Sequence, residues 1–185
     1  MKTVGVLLAG GMSRRFGSPK AFATWNNQFF YNLSYAALDK VCDEVIIITR
    51  EELLPLFPKD LSLLIDDHRF SGNGPLAGIF TGMNNIKADQ FVVLPCDMPF
   101  ITSDELKRLM LYRSTGDIKA VKQGEIFQPL VSIWSGSLKE KIYQSLMNKN
   151  FSVMQFMSTV STMWILADQI SDNPASVFQN INKPL

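Results

Sequence analysis

Cysteine and histidine are scarce in this sequence. Its 185 residues include two cysteines, Cys42 and Cys96, and one histidine, His68. Neither cysteine belongs to a CxxC pair, which argues against a structural zinc site. The chain also lacks an apolar run long enough to cross a bilayer, and the short run after Lys2 is ended by two glycines, unlike a secretory leader. We therefore expect a reduced, cytoplasmic protein that has no membrane partner.

An excess of charge of one sign is absent as well. Lysine and arginine together number 18, aspartate and glutamate 17, and the formal net charge is +1. Because a basic excess is the usual mark of a nucleic-acid-binding surface, we expect no nucleic-acid partner. Hydrophobic residues make up 46%, which is ordinary for a globular protein. The length suits a single domain over residues 1–185.

Short apolar, β-branched runs alternate along the chain with stretches of helical periodicity. The runs that we predict as strands are residues 3–9, 44–49, 61–65, 91–95, 118–121 and 128–133. One predicted helix opens at Pro75, in the favoured first position, and another at a capping box formed by Thr102 and Glu105. The alternation predicts an α/β domain with a mostly parallel, twisted sheet and helices on both faces. Such sheets bind ligands outside the carboxyl ends of their strands.

A glycine pair and a group of cations follow the first predicted strand, where residues 8–20 read LAGGMSRRFGSPK. Gly10 and Gly11 would let backbone amides approach a phosphate closely. The cations that could pair with a triphosphate are Arg14, Arg15 and Lys20. The loop is not a Walker A motif, because five residues separate Gly11 from Gly17 where that motif has four. A surface turn with solvated charges is the alternative interpretation.

Carboxylates follow two further predicted strands. Asp66 and Asp67 precede the sequence GPLAG at residues 74–78, and a carboxylate there could accept hydrogen bonds from a base or a ribose. Asp97 lies in PCDMPF at residues 95–100, between two prolines. Because Mg²⁺ prefers few protein carboxylates, supplemented by water and substrate phosphates, one aspartate facing a triphosphate fits that ion. Each carboxylate could instead be an ordinary turn residue.

Familiar catalytic motifs are missing. The sequence has no nucleophile elbow and no HExxH. A reaction in which the two substrates bring both nucleophile and leaving group needs only positioning and charge neutralisation. Transfer of a nucleotidyl group to an acceptor phosphate is such a reaction.

Taken together, these segments resemble those of the MobA-like nucleotidyltransferases. Residues 8–20 match a motif of the form LAGG-x-x-x-R-[MF]-G-x-x-K, which that family shares with sugar-phosphate and other nucleotidyltransferases. GPLAG together with PCDMP is similar more narrowly to the molybdenum cofactor guanylyltransferases. Asn180, Asn182 and Pro184 also resemble the closing Asn-x-Asn-x-Pro of that family.

The resemblance implies a Rossmann-like nucleotidyltransferase fold and a Mg²⁺-dependent reaction. GMP would pass from GTP to the phosphate of molybdenum-molybdopterin, with release of pyrophosphate. The residues implied to line the nucleotide are Leu8, Ala9, Gly10, Gly11, Lys20, Asp67 and Asp97. Arg15 and Lys20 would meet the phosphates, Asp67 the nucleoside and Asp97 the Mg²⁺, while Asn182 would lie nearby. Transient contact with cofactor-biosynthesis proteins or apo-molybdoenzymes is also implied.

Other functions stay open at this stage. A related nucleotidyltransferase could use CTP or a sugar-phosphate acceptor, and a noncatalytic regulator could bind a nucleotide without turnover. The presence of both Lys20 and Asp97 argues against the regulator, because binding alone needs less charge at the reacting end.

Overall fold

Nine strands and six α-helices are found in the computed structural model, which describes residues 1–11, 16–113 and 116–182. The strands are β1 (Thr3–Leu8), β2 (Thr24–Trp25), β3 (Gln28–Phe29), β4 (Glu44–Thr49), β5 (Ser62–Ile65), β6 (Gln90–Pro95), β7 (Ile118–Gln123), β8 (Ile126–Ser135) and β9 (Thr162–Leu166). The helices are α1 (Phe30–Asp39), α2 (Pro75–Asn85), α3 (Ser103–Leu111), α4 (Lys139–Met147), α5 (Val153–Met157) and α6 (Pro174–Val177).

Seven strands form one sheet in the order β5-β4-β1-β6-β8-β7-β9, while β2 and β3 form a separate small hairpin. The pairs β1–β4, β1–β6, β4–β5 and β7–β9 are parallel. β8 alone is reversed in this sheet, because it runs antiparallel to both β6 and β7. The mostly parallel sheet predicted from the alternating pattern is therefore confirmed.

Helices cover both faces of the sheet, as the sequence predicts. Alternate residues of a strand point to opposite faces, so Leu7 and Ile47 pack on the side of α1 and α3, whereas Val6 and Ile46 pack on the side of α2, α4 and α5. All four side chains are essentially inaccessible to solvent. The central strands are buried on both faces, which explains why they read as continuous apolar runs.

The local signals at two helix starts also hold. Pro75 occupies the first turn of α2. At the start of α3 the backbone N–H of Asp104 donates to Thr102 Oγ1 at 3.2 Å, and the backbone N–H of Thr102 donates to Glu105 Oε2 at 3.0 Å. The sequence analysis did not predict β9, α5, α6 or the β2–β3 hairpin, because segments of two to five residues are too short to establish a period. It predicted a shorter β8, because the first residues of that strand are exposed.

The strand order defines a crevice. From β1 the chain passes through α1 to β4 on one side, and later through α2 to β6 on the other, so the connections diverge on either side of β1. Open α/β sheets bind ligands at such a switch point, outside the carboxyl ends of the strands. Within the described residues, every helix is too short or too polar to span a bilayer.

Candidate functional site

The glycine loop continues β1 along the end of β4. The backbone N–H of Ala9 donates to the carbonyl of Ile48 at 2.8 Å, which carries the pairing past Leu8. A Cβ at Gly10 would lie 3.5 Å from the Cα of Thr49 and 3.6 Å from Cγ of Arg50, whereas a Cβ at Gly11 would meet nothing within 4 Å. Gly10 is thus fitted against the end of β4, and Gly11 faces open space.

The predicted phosphate contacts of this loop are only partly described. Arg14 and Arg15 belong to residues 12–15, which lie outside the described residues. The predicted role of Arg15 therefore stays a prediction. Lys20 is described and begins a short 3₁₀ helix directly after Pro19.

Lys20 brings together three parts of the chain. Its ammonium Nζ donates to Asp97 Oδ2 at 2.9 Å and to Asn182 Oδ1 at 2.7 Å. The Lys20 and Asp97 side chains are only 14% and 22% exposed, so their ion pair is better shielded from water than a surface pair. The backbone N–H of Ile181 also donates to the carbonyl of Asp97 at 2.8 Å, which fixes the C-terminal segment beside β6. The sequence motifs include Lys20, Asp97 and Asn182, and the fold brings these three side chains into contact.

Asp97 is held at the end of a rigid strand. The backbone N–H of Cys96 donates to the carbonyl of Leu8 at 3.1 Å, and the flanking Cys96 and Met98 are buried. Burial raises the pKa of the Cys96 thiol to about 12, with the Asp97 carboxylate adding to the effect. Cys96 is therefore a packed thiol and not a nucleophile.

Asp67 is occupied by a neighbouring arginine. Nε and Nη2 of Arg69 donate to the two Asp67 carboxylate oxygens at 2.9 and 2.7 Å, and the backbone N–H of Arg69 adds a third bond. The hydrogen bonds from Arg69 hold the pKa of Asp67 at about 2. A nucleoside hydroxyl that binds Asp67 has to share this carboxylate with Arg69.

The adjacent Asp66 is turned towards α2. Its Oδ1 is buried without a hydrogen-bond partner among the described residues, and it lies 3.5 Å from where a Cβ of Gly78 would stand. Burial raises the pKa of Asp66 to about 6, although a hydrogen bond from the backbone N–H of Gly72 opposes the rise. Asp66 is therefore packed against the helix, whereas Asp67 pairs with Arg69.

The donor set around Lys20 suits a divalent cation. Oxygens of Asp97 and Asn182 converge on one positive charge, the ammonium of Lys20, so two oxygen ligands lie close together. Within the described ranges, no group of three or more His, Cys, Asp or Glu side chains is placed to hold a metal ion. A single carboxylate with one amide oxygen fits Mg²⁺, which completes its coordination with water and phosphate oxygens, better than it fits zinc.

The sequence assigns no role to two arginines near the strand ends, Arg50 beside Gly10 and Arg69 beside Asp67. The Asp-x-Arg spacing of residues 67–69 directly after a predicted strand is a signal that could have identified the second pair. No local pattern indicates the first, because Arg50 and Gly10 are brought together only by the pairing of β1 with β4.

Comparison with known proteins decides the family. Residues 5–160 match the MobA-like NTP transferase domain. The chain belongs to this family. A relative in Bacillus subtilis, named probable molybdenum cofactor guanylyltransferase, is 37% identical over 187 residues and covers 98% of this chain and 91% of its own length. A relative of the same name in Geobacillus sp. (strain WCH70) is 35% identical over 192 residues, with coverage of 99% and 95%.

Solved structures agree on the fold. The molybdopterin-guanine dinucleotide biosynthesis protein A of Archaeoglobus fulgidus superposes with a TM-score of 0.81 at 19% identity, covering 98% of this chain and 93% of that one. A nucleotidyl transferase from Methanothermobacter gives 0.72 at 16% identity, with coverage of 98% and 92%. The MobA-like family assignment made from the motifs is confirmed, and the chain is an enzyme of the nucleotidyltransferase class.

Proposed function

We propose that this MobA-like enzyme transfers GMP from GTP to the phosphate of molybdenum-molybdopterin, and that it does so as a single cytoplasmic domain with Mg²⁺. The observation that carries the proposal is the Lys20–Asp97–Asn182 cluster at the carboxyl ends of β1 and β6. The names of the Bacillus and Geobacillus relatives support guanylyl transfer to this acceptor. Brief contacts with other cofactor-biosynthesis proteins or apo-molybdoenzymes would deliver the acceptor or collect the product.

The reaction needs no protein nucleophile. An acceptor phosphate oxygen attacks the α-phosphorus of GTP. As that P–O bond forms, the bond from the α-phosphorus to the bridging oxygen breaks, and its electrons leave with pyrophosphate. The protein's task is therefore to align the two phosphates and to stabilise the charge that develops on the leaving group.

The glycine loop and Lys20 are suited to that task. The loop from Leu8 to Gly11 would line the nucleotide, with Gly11 leaving open space for close approach of a phosphate. The ammonium of Lys20, on its flexible stem, would exchange part of its contact with Asp97 for the departing phosphates. Arg15 would add a second cation. Asp67 would contact the nucleoside by sharing its carboxylate with Arg69.

Asp97 would hold the metal, and Asn182 would supply a neighbouring oxygen. When bound, Mg²⁺ supplies charge neutralisation of the phosphate oxygens. Asp97 also keeps Lys20 oriented through the 2.9 Å ion pair before the nucleotide arrives. One carboxylate thus positions both cations of the site.

The direct test is pyrophosphate release from each of the four ribonucleoside triphosphates, with Mg²⁺, in the presence and absence of molybdenum-molybdopterin. We expect release from GTP only when the acceptor is present. Equal turnover of CTP, or transfer to a sugar phosphate instead of molybdopterin, would replace this proposal with the corresponding alternative.

Asp97→Asn tests the central residue. The amide keeps the shape of the side chain but loses the charge that holds Mg²⁺, so we expect kcat to fall by at least about 10² while the protein stays folded. Asp104→Asn is a matched control, since that carboxylate is 76% exposed at the start of α3 and its loss should leave turnover unchanged. Because asparagine also suits turns, near-normal turnover of Asp97→Asn would mean that Asp97 is only a turn residue.

A further inference from the structure

The strand order gives the bound nucleotide a direction. Lys20 and Asp97 lie at the end of β6, on one side of β1, while β4 lies on the other side. Neighbouring strands are about 4.8 Å apart, and β4 and β6 are separated by two such spacings, with β1 between them. The end of β4 is therefore about 10 Å, or about one nucleoside's length, from the phosphate end of the site. With its phosphates at Lys20, a nucleotide lying over Gly10 extends its base towards β4.

Arg50 is the first residue after β4. Its backbone is extended, with φ −100° and ψ 152°, and its carbonyl accepts the first hydrogen bond of the 3₁₀ helix Glu51–Leu56, from the N–H of Leu53. Its Cγ lies 3.6 Å from the position of a Cβ at Gly10. The Arg50 stem therefore lies within van der Waals reach of Gly10, next to the nucleotide loop.

The guanidinium of Arg50 is fixed at the rim of this loop. Nη1 donates to Glu52 Oε1 at 2.6 Å, and the Arg50 side chain is 26% exposed against 61% for Glu52. A partly exposed ion pair of this kind adds little to stability on its own, but it orients a planar, permanently charged donor group. Asp66 and Asp67, the carboxylates near the base end, are less suited than Arg50 to recognising a base. Asp67 is hydrogen-bonded to Arg69, and Asp66 Oδ1 is buried.

We propose that Arg50 is a specificity-determining residue that recognises guanine by donating hydrogen bonds to its O6 and N7. The proposal rests on the proposed use of GTP. Guanine presents two adjacent acceptors on this edge, whereas adenine presents one acceptor and one donor, so the arginine fork matches only guanine. A phosphate role for Arg50 is disfavoured, because it lies across β1 from Lys20 and Asp97.

Nucleotide analogues test this contact without any acceptor. 7-Deaza-GTP has a C–H in place of N7, and ITP keeps both O6 and N7 but lacks the 2-amino group. In calorimetry with Mg²⁺, the wild-type protein should bind GTP about tenfold more tightly than 7-deaza-GTP. In Arg50→Ala that ratio should fall to about one, while the ratio of GTP to ITP affinity stays as in the wild type.

Arg50→Gln adds a gain-of-function test, because a glutamine amide matches N6 and N7 of adenine. We expect it to raise the affinity for ATP relative to GTP severalfold. Arg108→Ala is the matched control, because Arg108 of α3 also forms an ion pair at the surface, with Asp172. Its loss should leave the relative affinities for GTP, 7-deaza-GTP, ITP and ATP as in the wild type.

The outcomes separate the two proposals. If the wild type binds GTP but binds 7-deaza-GTP equally well, or if Arg50→Ala keeps the tenfold ratio, Arg50 does not read the base and the proposed function stands. If the wild type fails to bind GTP at all, the proposed function itself fails. Should an Arg50 variant not fold, the wild-type comparison of GTP with 7-deaza-GTP still decides whether N7 is read.

Discussion

The ammonium group of Lys20 links the two tasks proposed for the site, which are metal binding by Asp97 and stabilisation of the leaving pyrophosphate. Lys20 Nζ lies within 2.9 Å of a carboxylate oxygen of Asp97 and within 2.7 Å of the amide oxygen of Asn182. An interaction of this kind is most useful if it strengthens as charge moves onto the leaving group, because only such interactions lower the barrier. In the proposed mechanism, Lys20 is held by Asp97 before the nucleotide binds and then moves to the phosphates.

Lys20→Ala should lower kcat by about 10²–10³, the usual loss for one preorganised electrostatic contact, with a smaller effect on GTP affinity. Lys20→Arg should recover only part of the rate, since a planar fork does not replace a point charge. Steady-state kinetics on the folded variants measure both. Lys107→Ala, on a 56% exposed lysine of α3, serves as the control. A wild-type kcat in Lys20→Ala would contradict the mechanism.

Asp66 makes stability depend on pH. Its pKa rises from 3.8 to about 6 on folding because of burial, so the folded state binds its proton more tightly than the unfolded chain does. The contribution of Asp66 to the free energy of unfolding therefore falls as the pH rises from about 4 to 6, and the full penalty is present above that range.

Asp66→Asn removes this titration. Urea unfolding should show the variant gaining stability over the wild type at about pH 7.5, with the advantage shrinking towards about pH 4. Asp104→Asn, which removes an exposed carboxylate, should not change the pH dependence in this way. An Asp66→Asn protein with the same pH profile as the wild type would show that Asp66 is not the group responsible.

At the level of elements, α3 begins at a reciprocal cap. The Thr102 hydroxyl accepts a hydrogen bond from the backbone N–H of Asp104, and the Glu105 carboxylate accepts one from the backbone N–H of Thr102. Glu105 Oε1 also accepts a hydrogen bond from Ser171 Oγ at 3.2 Å. The cap therefore joins the start of α3 to the segment that leads towards Asn182. Its loss acts first on stability and only indirectly on the site.

Thr102→Ala should lower the free energy of unfolding by about 1 kcal/mol, because an orphan N–H at the helix start loses its acceptor. Thr102→Ser keeps the hydroxyl and should retain most of that stability. Urea denaturation of the two variants beside the wild type gives both values. Equal stability of Thr102→Ala and the wild type would show that the cap contributes nothing in this context.

At the scale of the whole molecule, the site exists only in the folded chain. Its members come from residues 20, 97 and 182, and the unfolded chain cannot hold them together. A nucleotide that binds there stabilises the folded state by mass action, by about 2.7 kcal/mol when its concentration is a hundredfold above Kd. For a chain of this length that corresponds to a rise in Tm of roughly 5–10 °C.

Thermal unfolding with GTP and Mg²⁺ should show that rise in the wild type, and CTP at the same concentration should give a smaller one. The GTP effect should shrink in Asp97→Asn, where the metal is held less well. An identical shift with GTP and CTP would contradict selective binding of guanine.

Local sequence determined much of this protein. The apolar runs predicted β1, β4 and β6, Thr102 and Glu105 predicted the cap, and the motifs at residues 8–20, 74–78 and 95–100 predicted the family that the comparisons confirm. These features are readable because strand burial, helix capping and tight glycine turns depend on residues close together in the chain.

Tertiary structure decided the rest. Only the pairing of β1 with β4 sets Arg50 against Gly10, and only packing against α2 buries Asp66 while Asp67 pairs with Arg69. The reversed β8 and the edge strand β9 likewise depend on distant partners. Two adjacent aspartates are identical in a sequence, and they acquire pKa values of about 6 and about 2 because burial and hydrogen bonding are properties of the folded surroundings.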